Sequence, residues 1–195
     1  MKSPAYKTTR FPSAVRVTVP LLVLLLLVVV CYGHGDRRKG RHEIRPPTVP
    51  ANLQVPAGNE VQFHASGVGV QIYTWTVNPT NAALSSWVFK APQAVLFGRD
   101  GDVVGIHFAG PTWESNSGSK VVGTRLAGST VNPHAIPWLL LQARTTEGVG
   151  IFADTTYIQR VHTECGLAPA APGTFDGEEA LVPYIADYYF YHAEN

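Results

Sequence analysis

Residues 94–108, AVLFGRDGDVVGIHF, form the stretch that decides the fold class. Two apolar, β-branched runs flank Asp100-Gly101, a dipeptide that is typical of tight hairpin turns because it tolerates positive φ. The pattern predicts two antiparallel strands joined by a type I′ turn at Asp100 and Gly101.

Further β-rich segments lie on both sides of this hairpin. VGVQIYTWTV (68–77) alternates β-branched and aromatic residues, and YIADYYFYH (184–192) places Tyr184, Ala186, Tyr188 and Phe190 on one face. No stretch has helical apolar spacing, and the two helical turns expected are near 78–85 and 175–181. We predict an all-β fold, a single antiparallel β-barrel or β-sandwich with little helix. The predicted strands are 60–65, 68–77, 85–91 and 94–98 (divided by Pro92), 103–108, 120–127, 136–146, 148–164 as one bent strand or two, and 181–193.

The N-terminus has the layout of a secretory signal peptide: basic residues, an apolar run from Leu21 to Cys31, and a small-residue end. We predict a signal peptide (or signal anchor) over residues 1–33, a basic, Pro-rich lead-in over 34–50 and a β domain over 51–195. The protein is expected to be secreted, with no stable membrane insertion if the signal is cleaved. The alternative is anchoring in a membrane by residues 17–32.

Charge is uneven along the 195 residues. The net value of +1 hides an acidic β domain, since residues 46–195 carry six Lys/Arg against twelve Asp/Glu. A nucleic-acid partner needs a basic face, so we predict no nucleic-acid binding. Cys165 stands alone after removal of the signal, and we expect a buried or half-buried thiol, with intermolecular pairing as the alternative.

Several long strings, among them AVLFGRDGDVVGIHFAGPTWES and TYIQRVHTECGLAPAAPGTFDGEEALVPYIADYYFY, resemble the secreted proteins grouped as domain of unknown function 3455. The resemblance covers roughly residues 46–192. It implies no established reaction, cofactor or catalytic residue. Members of that group often carry cysteine where this chain has Trp75, which implies that Cys165 has lost a partner here.

The sequence contains only weak signals for a cofactor site, a metal site or a catalytic carboxylate pair. The glycine-containing strings GVGVQ (67–71) and GVGIF (148–152) open strands rather than helices, so no dinucleotide cofactor is predicted. Four scattered histidines lack metal-ligand spacing, although His107 with His162 would be the best pair; we predict no metal site. Carboxylates that could serve a hydrolase are Asp100, Glu114, Asp154 and Asp187, the last of which we expect to pair with Arg160 or Arg125.

The leading hypothesis is a secreted module, without catalysis, that binds a small molecule or glycan. The ligand-binding residues predicted for it are His107, Trp113, Glu114 and Tyr188. The alternatives are an extracellular hydrolase or metal-dependent enzyme, with catalytic residues unknown, and a structural or stress-related extracellular protein. Trp113, between a strand end and a polar loop, is expected either to plug the sheet interior or to line its mouth.

Overall fold

The structure, a computed structural model, describes residues 44–194. The predicted signal segment (1–33) and most of the basic lead-in therefore lie outside the described residues. Two 3-10 turns occur, at Ala51–Leu53 and Ala82–Leu84. Within residues 44–194, no helix is long and apolar enough to cross a membrane. The eight strands are β1 Asn59–Thr76, β2 Ser86–Phe97, β3 Val103–Phe108, β4 Thr112–Ser115, β5 Lys120–Ser129, β6 Trp138–Glu147, β7 Thr155–Cys165 and β8 Glu179–Ala193.

The eight strands form one antiparallel sheet with a closed order. Each strand pairs with the next along the chain, and β8 also pairs with β1, from Asn59 opposite Ala193 to Thr74 opposite Glu179. Each of the eight strands therefore has a hydrogen-bonded neighbour on both sides along part of its length. The prediction of an all-β, antiparallel fold with little helix is confirmed.

The hairpin over residues 94–108 is confirmed, but its turn differs from the prediction. β2 pairs with β3, and the loop between them runs over five residues, 98–102. Gly101 has φ +84°, whereas Asp100 does not have positive φ, so the turn is not type I′. The longer loop carries Arg99 out from the sheet, which matters for the pocket described below.

Two long strands were predicted as shorter pieces. β1 is continuous over 18 residues, and β2 runs straight through Pro92, which lies opposite Gln71. Proline has no N–H for the ladder, and the register between β1 and β2 shifts one residue further along, between Ile72 and Tyr73. The extra residue of this bulge is Lys90 of β2, and β3 pairs with β2 only from Ala94 onward, so Pro92 meets a neighbouring strand on the β1 side alone. The strand continues through Pro92, and the division predicted there is wrong.

β4 was predicted as a loop. It covers only four residues, too few for an alternating pattern to be read from the sequence. Trp113 lies at its centre, opposite His107 of β3 and Val121 of β5. Pro111 stands just before the strand, where a missing N–H costs no ladder bond. Trp113 therefore lies within a strand, and the pairing on both sides fixes the face of the sheet on which its side chain lies.

The interior is filled by aromatic side chains, and β8 supplies most of them. Tyr184, Ala186, Tyr188 and Phe190 are all nearly inaccessible to solvent, as the alternation of YIADYYFYH predicts. A Cβ atom on Gly67 of the adjacent β1 would lie 2.6 Å from the Tyr188 ring. Glycine at that position therefore makes room for the tyrosine.

Parts of the outer face are covered as well. The 3-10 turn at Ala51–Leu53 packs there, with the Gln159 amide donating to the Leu53 carbonyl (2.6 Å) and the Tyr191 hydroxyl donating to Gln159 Oε1 (2.5 Å). Cys165, by contrast, is exposed, so the prediction of a buried or half-buried thiol is wrong. It ends β7 with φ 57°, a left-handed conformation that turns the chain away from the sheet.

Candidate functional site

Three of the four predicted ligand-binding residues lie inside the sheet. His107 is 3% exposed, Trp113 1% and Tyr188 0%. The His107 and Trp113 rings stack with centroids 4.3 Å apart, and the edge of Tyr188 meets both. His107 Nδ1 lies 2.8 Å from the Thr112 carbonyl oxygen; since a carbonyl only accepts, Nδ1 carries the proton. Burial lowers the pKa of His107 to about 3, so the imidazole is neutral.

Glu114, the fourth, lies on the outer face, where its carboxylate is 3.5 Å from Lys120 Nζ. The four residues therefore lie on two opposite faces of the sheet and do not line a single pocket. The suggested metal pair is divided in the same way, because His107 is interior whereas His162 is exposed. Ligand binding by the four residues stays a prediction.

A pocket of about 770 Å³ lies on the outer face, away from these residues. Arg45 from the lead-in and Arg99 from the β2–β3 turn line it, together with His64 of β1 and Tyr189 of β8. The closed order places β1 beside β8, so His64 faces Tyr189 across the strand pair. Two guanidinium groups thus meet at one pocket in a domain with excess negative charge.

Asp187 of β8 is the polar centre next to this pocket. Ser66 Oγ donates to Asp187 Oδ1 (2.8 Å), His64 Nε2 lies 3.1 Å from the same oxygen, and His162 Nδ1 lies 3.0 Å from Oδ2. His64 Nε2 is buried and not aligned as a regular hydrogen-bond donor, so its contact with the carboxylate is chiefly electrostatic. Asp187 therefore bridges two imidazole rings.

The protonation of Asp187 follows from these neighbours. Burial by itself raises the pKa of this carboxyl, but the contacts with His64, Ser66 and His162 outweigh burial and hold the pKa below its ordinary value. Asp187 is therefore a carboxylate at neutral pH. Our expectation that it pairs with Arg160 or Arg125 is wrong; Arg160 instead donates to the Pro137 carbonyl (2.8 Å).

His162 reaches Asp187 because β7 bulges. The pairing of β7 with β8 shifts between Val161 and Glu164, and His162 has φ 49°. A non-glycine residue in the left-handed region stores backbone strain, which is common at functional sites. The imidazole also meets the Trp138 ring edge-on, with centroids 5.1 Å apart.

Tyr189 completes the pocket wall. Its ring lies beside that of His64, with centroids 4.6 Å apart. Burial and the Asp187 charge raise the pKa of Tyr189, with Arg99 acting weakly in the opposite direction. The phenol therefore keeps its proton at neutral pH and can donate it.

The arrangement limits the chemistry available. Ser66 Oγ donates to Asp187 rather than to an imidazole, so it is not activated as a nucleophile. Within residues 44–194, no Asp or Glu lines the pocket itself. Among the described residues, no three His, Cys, Asp or Glu side chains are placed to hold a metal ion. What remains is a cationic, partly aromatic pocket with one imidazole held by a carboxylate.

Comparisons with known proteins bear on the family. No curated protein and no solved structure matches the chain. A family profile described as "Protein of unknown function (DUF3455)" matches residues 56–192, from just before β1 to the end of β8 and well over half of the sequence. The matched region contains Asp187, both of its histidines and Ser66, and on this match the chain belongs to the DUF3455 family.

Proposed function

We propose that this protein is a secreted binding module for a small molecule or glycan that carries a carboxylate, and that the outer pocket is its site. The observation that carries the proposal is the meeting of Arg45, Arg99 and the Tyr189 ring at one pocket. The closed strand order supports a barrel as the scaffold in preference to a two-sheet sandwich.

The chemistry of the lining favours a carboxylated sugar. Arginine presents a planar fork of donors that matches a carboxylate, and an aromatic ring offers an apolar surface on which a sugar ring can stack. A volume of about 770 Å³ lies within the range of about 300–1,000 Å³ that small-ligand sites occupy. A short chain of uronic acid units has the required size, charge and apolar ring faces.

Arg99→Gln tests this proposal. We expect it to weaken binding of an oligogalacturonate about tenfold or more, because a charge-assisted hydrogen bond contributes roughly 1.5–3 kcal/mol. Isothermal titration calorimetry measures the affinity. Arg144→Gln, which removes an exposed arginine of β6 outside the pocket, is the matched control.

A neutral oligogalactose is the second control, since it has the same ring shape without carboxylates. We expect it to bind much more weakly than the acidic sugar. Equal affinity of wild type, Arg99→Gln and Arg144→Gln for oligogalacturonate, or no binding by any of them, would overturn the proposed site.

A further inference from the structure

We propose that the outer pocket also carries out a reaction: β-elimination in a 4-linked uronate glycan, with His64 as the general base and Tyr189 as the general acid. This inference rests on the proposed function, because the glycan must first bind there. It goes beyond binding in assigning a reaction and a role to each side chain.

His64 is placed to act as the base. His64 lines the pocket, and its Nε2 is buried against Asp187 at 3.1 Å. Within residues 44–194, Nδ1 is neither hydrogen-bonded nor buried, so it is the nitrogen that a pocket occupant meets. A carboxylate on the far nitrogen orients an imidazole and stabilises it once it has taken a proton. Asp187 is thus a positioning residue.

Tyr189 is placed to act as the acid. Its ring belongs to the same wall, with its centroid 4.6 Å from that of the His64 ring. A phenol that stays protonated can give its proton to a departing sugar oxygen. Base and acid on one wall suit an elimination in which the proton and the leaving group depart from the same side of the sugar ring.

The two arginines of the pocket are placed to stabilise the negative charge that develops during the reaction. A proton on the carbon next to a carboxylate is hard to remove, because the resulting carbanion lies beside an existing negative charge. Guanidinium groups on that carboxylate stabilise the added charge as it develops. Arg45 and Arg99 both line the pocket, and we assign this role to them.

The step balances without a co-reactant. His64 Nδ1 takes the proton from the carbon bonded to the carboxylate, and the C–H electron pair becomes a carbon–carbon double bond. The bond from the neighbouring carbon to the glycosidic oxygen breaks, and that oxygen takes the Tyr189 hydroxyl proton. The products are one unsaturated uronate end and one new sugar hydroxyl. Solvent returns the proton from His64 to Tyr189.

Hydrolysis fits the same pocket less well. Glycoside hydrolysis uses a pair of carboxyl groups across the scissile bond, and none of the described residues that line the pocket carries a carboxylate. Asp187 lies beside the pocket, but its oxygens are occupied by Ser66, His64 and His162. Elimination needs a base, an acid and positive charge beside the substrate carboxylate. His64, Tyr189 and the two arginines of the pocket lining supply these three functions.

The test uses the full chain with polymannuronate, in which the C5 proton and the C4 oxygen lie on the same face of the sugar ring, and with polygalacturonate, in which they lie on opposite faces, as the comparison. Elimination produces a double bond conjugated with a carboxylate, which absorbs in the ultraviolet, and mass spectrometry shows a fragment one water lighter than hydrolysis gives. We expect this product from the wild type acting on polymannuronate, and a rate at least about 100-fold lower for His64→Gln and for Tyr189→Phe. Asp187→Asn should lower kcat with little change in KM.

The matched controls are His192→Gln, whose imidazole contacts Glu60, and Tyr157→Phe; neither residue lines the pocket, and both variants should keep the wild-type rate. Oligogalacturonate binding by calorimetry is measured on every variant and shows that each is folded. Binding without unsaturated product overturns the elimination and leaves the proposed function standing. A wild-type rate in His64→Gln overturns the assignment of the base. Neither binding nor product overturns both proposals.

Discussion

Trp113→Ala is expected to lower the free energy of unfolding by about 3–5 kcal/mol. The indole is 1% exposed and contacts the rings of His107, Tyr188 and Phe190. Alanine would leave a cavity at the centre of the interior that the surrounding closed sheet cannot collapse to fill. Urea unfolding followed by far-ultraviolet circular dichroism measures the change.

Two further variants make this test specific. Trp113→Phe should cost less, about 1–2 kcal/mol, because it keeps a ring in place and removes an indole N–H that lacks a partner in the interior. Trp138→Ala, at a half-buried tryptophan of β6, should also cost less than Trp113→Ala. A loss below about 1 kcal/mol for Trp113→Ala would contradict the position of this side chain.

Asp187→Asn is expected to lower the free energy of unfolding by about 1–3 kcal/mol at neutral pH. The carboxylate is 26% exposed and holds Ser66 and two histidines around it. An amide lacks the charge and has only one acceptor oxygen, so at least one of these contacts is lost.

The pH dependence follows from the lowered pKa of Asp187. A carboxyl whose pKa is lower in the folded than in the unfolded state stabilises the fold above the unfolded value, ordinarily about 3.9. That contribution is lost as the pH falls through the folded pKa. The difference in stability between wild type and Asp187→Asn should therefore be full at neutral pH and shrink below about pH 4.

Urea unfolding at a series of pH values measures this difference. Asp154→Asn, in the turn before β7, is the control and should leave both the stability and its pH profile close to wild type. A stability gap that stays constant down to acid pH would contradict the carboxylate role of Asp187.

Local pattern was enough to predict much of the fold. The alternation in YIADYYFYH identified the interior face of β8, and Asp100-Gly101 identified a hairpin, because both signals span only neighbouring residues. β4 was not predicted, because a strand of four residues is too short to show an alternation of apolar and polar side chains. Pro92 was wrongly predicted to divide the strand, because the pairing that tolerates a proline there depends on long-range register: β3 pairs with β2 only from Ala94 onward.

The candidate site could not be predicted in the same way. Asp187 stood out as a charge in an aromatic strand, yet its partners depend on long-range register: Ser66, 121 residues away, lies directly opposite. His162 reaches the carboxylate only through a bulge with a left-handed residue. Periodicity predicts the side of a sheet on which a residue lies, but not its neighbour on another strand.

The pairing of the first strand with the last also sets an order of events during synthesis. β1 leaves the ribosome long before β8, so Ser66 and His64 have no Asp187 to contact until the final strand has been made. Contacts of such large sequence separation form slowly, since a long loop must close before they are made. A nascent chain that has not yet completed β8 would thus carry the pocket without its Tyr189 wall and without the Asp187 carboxylate beside it.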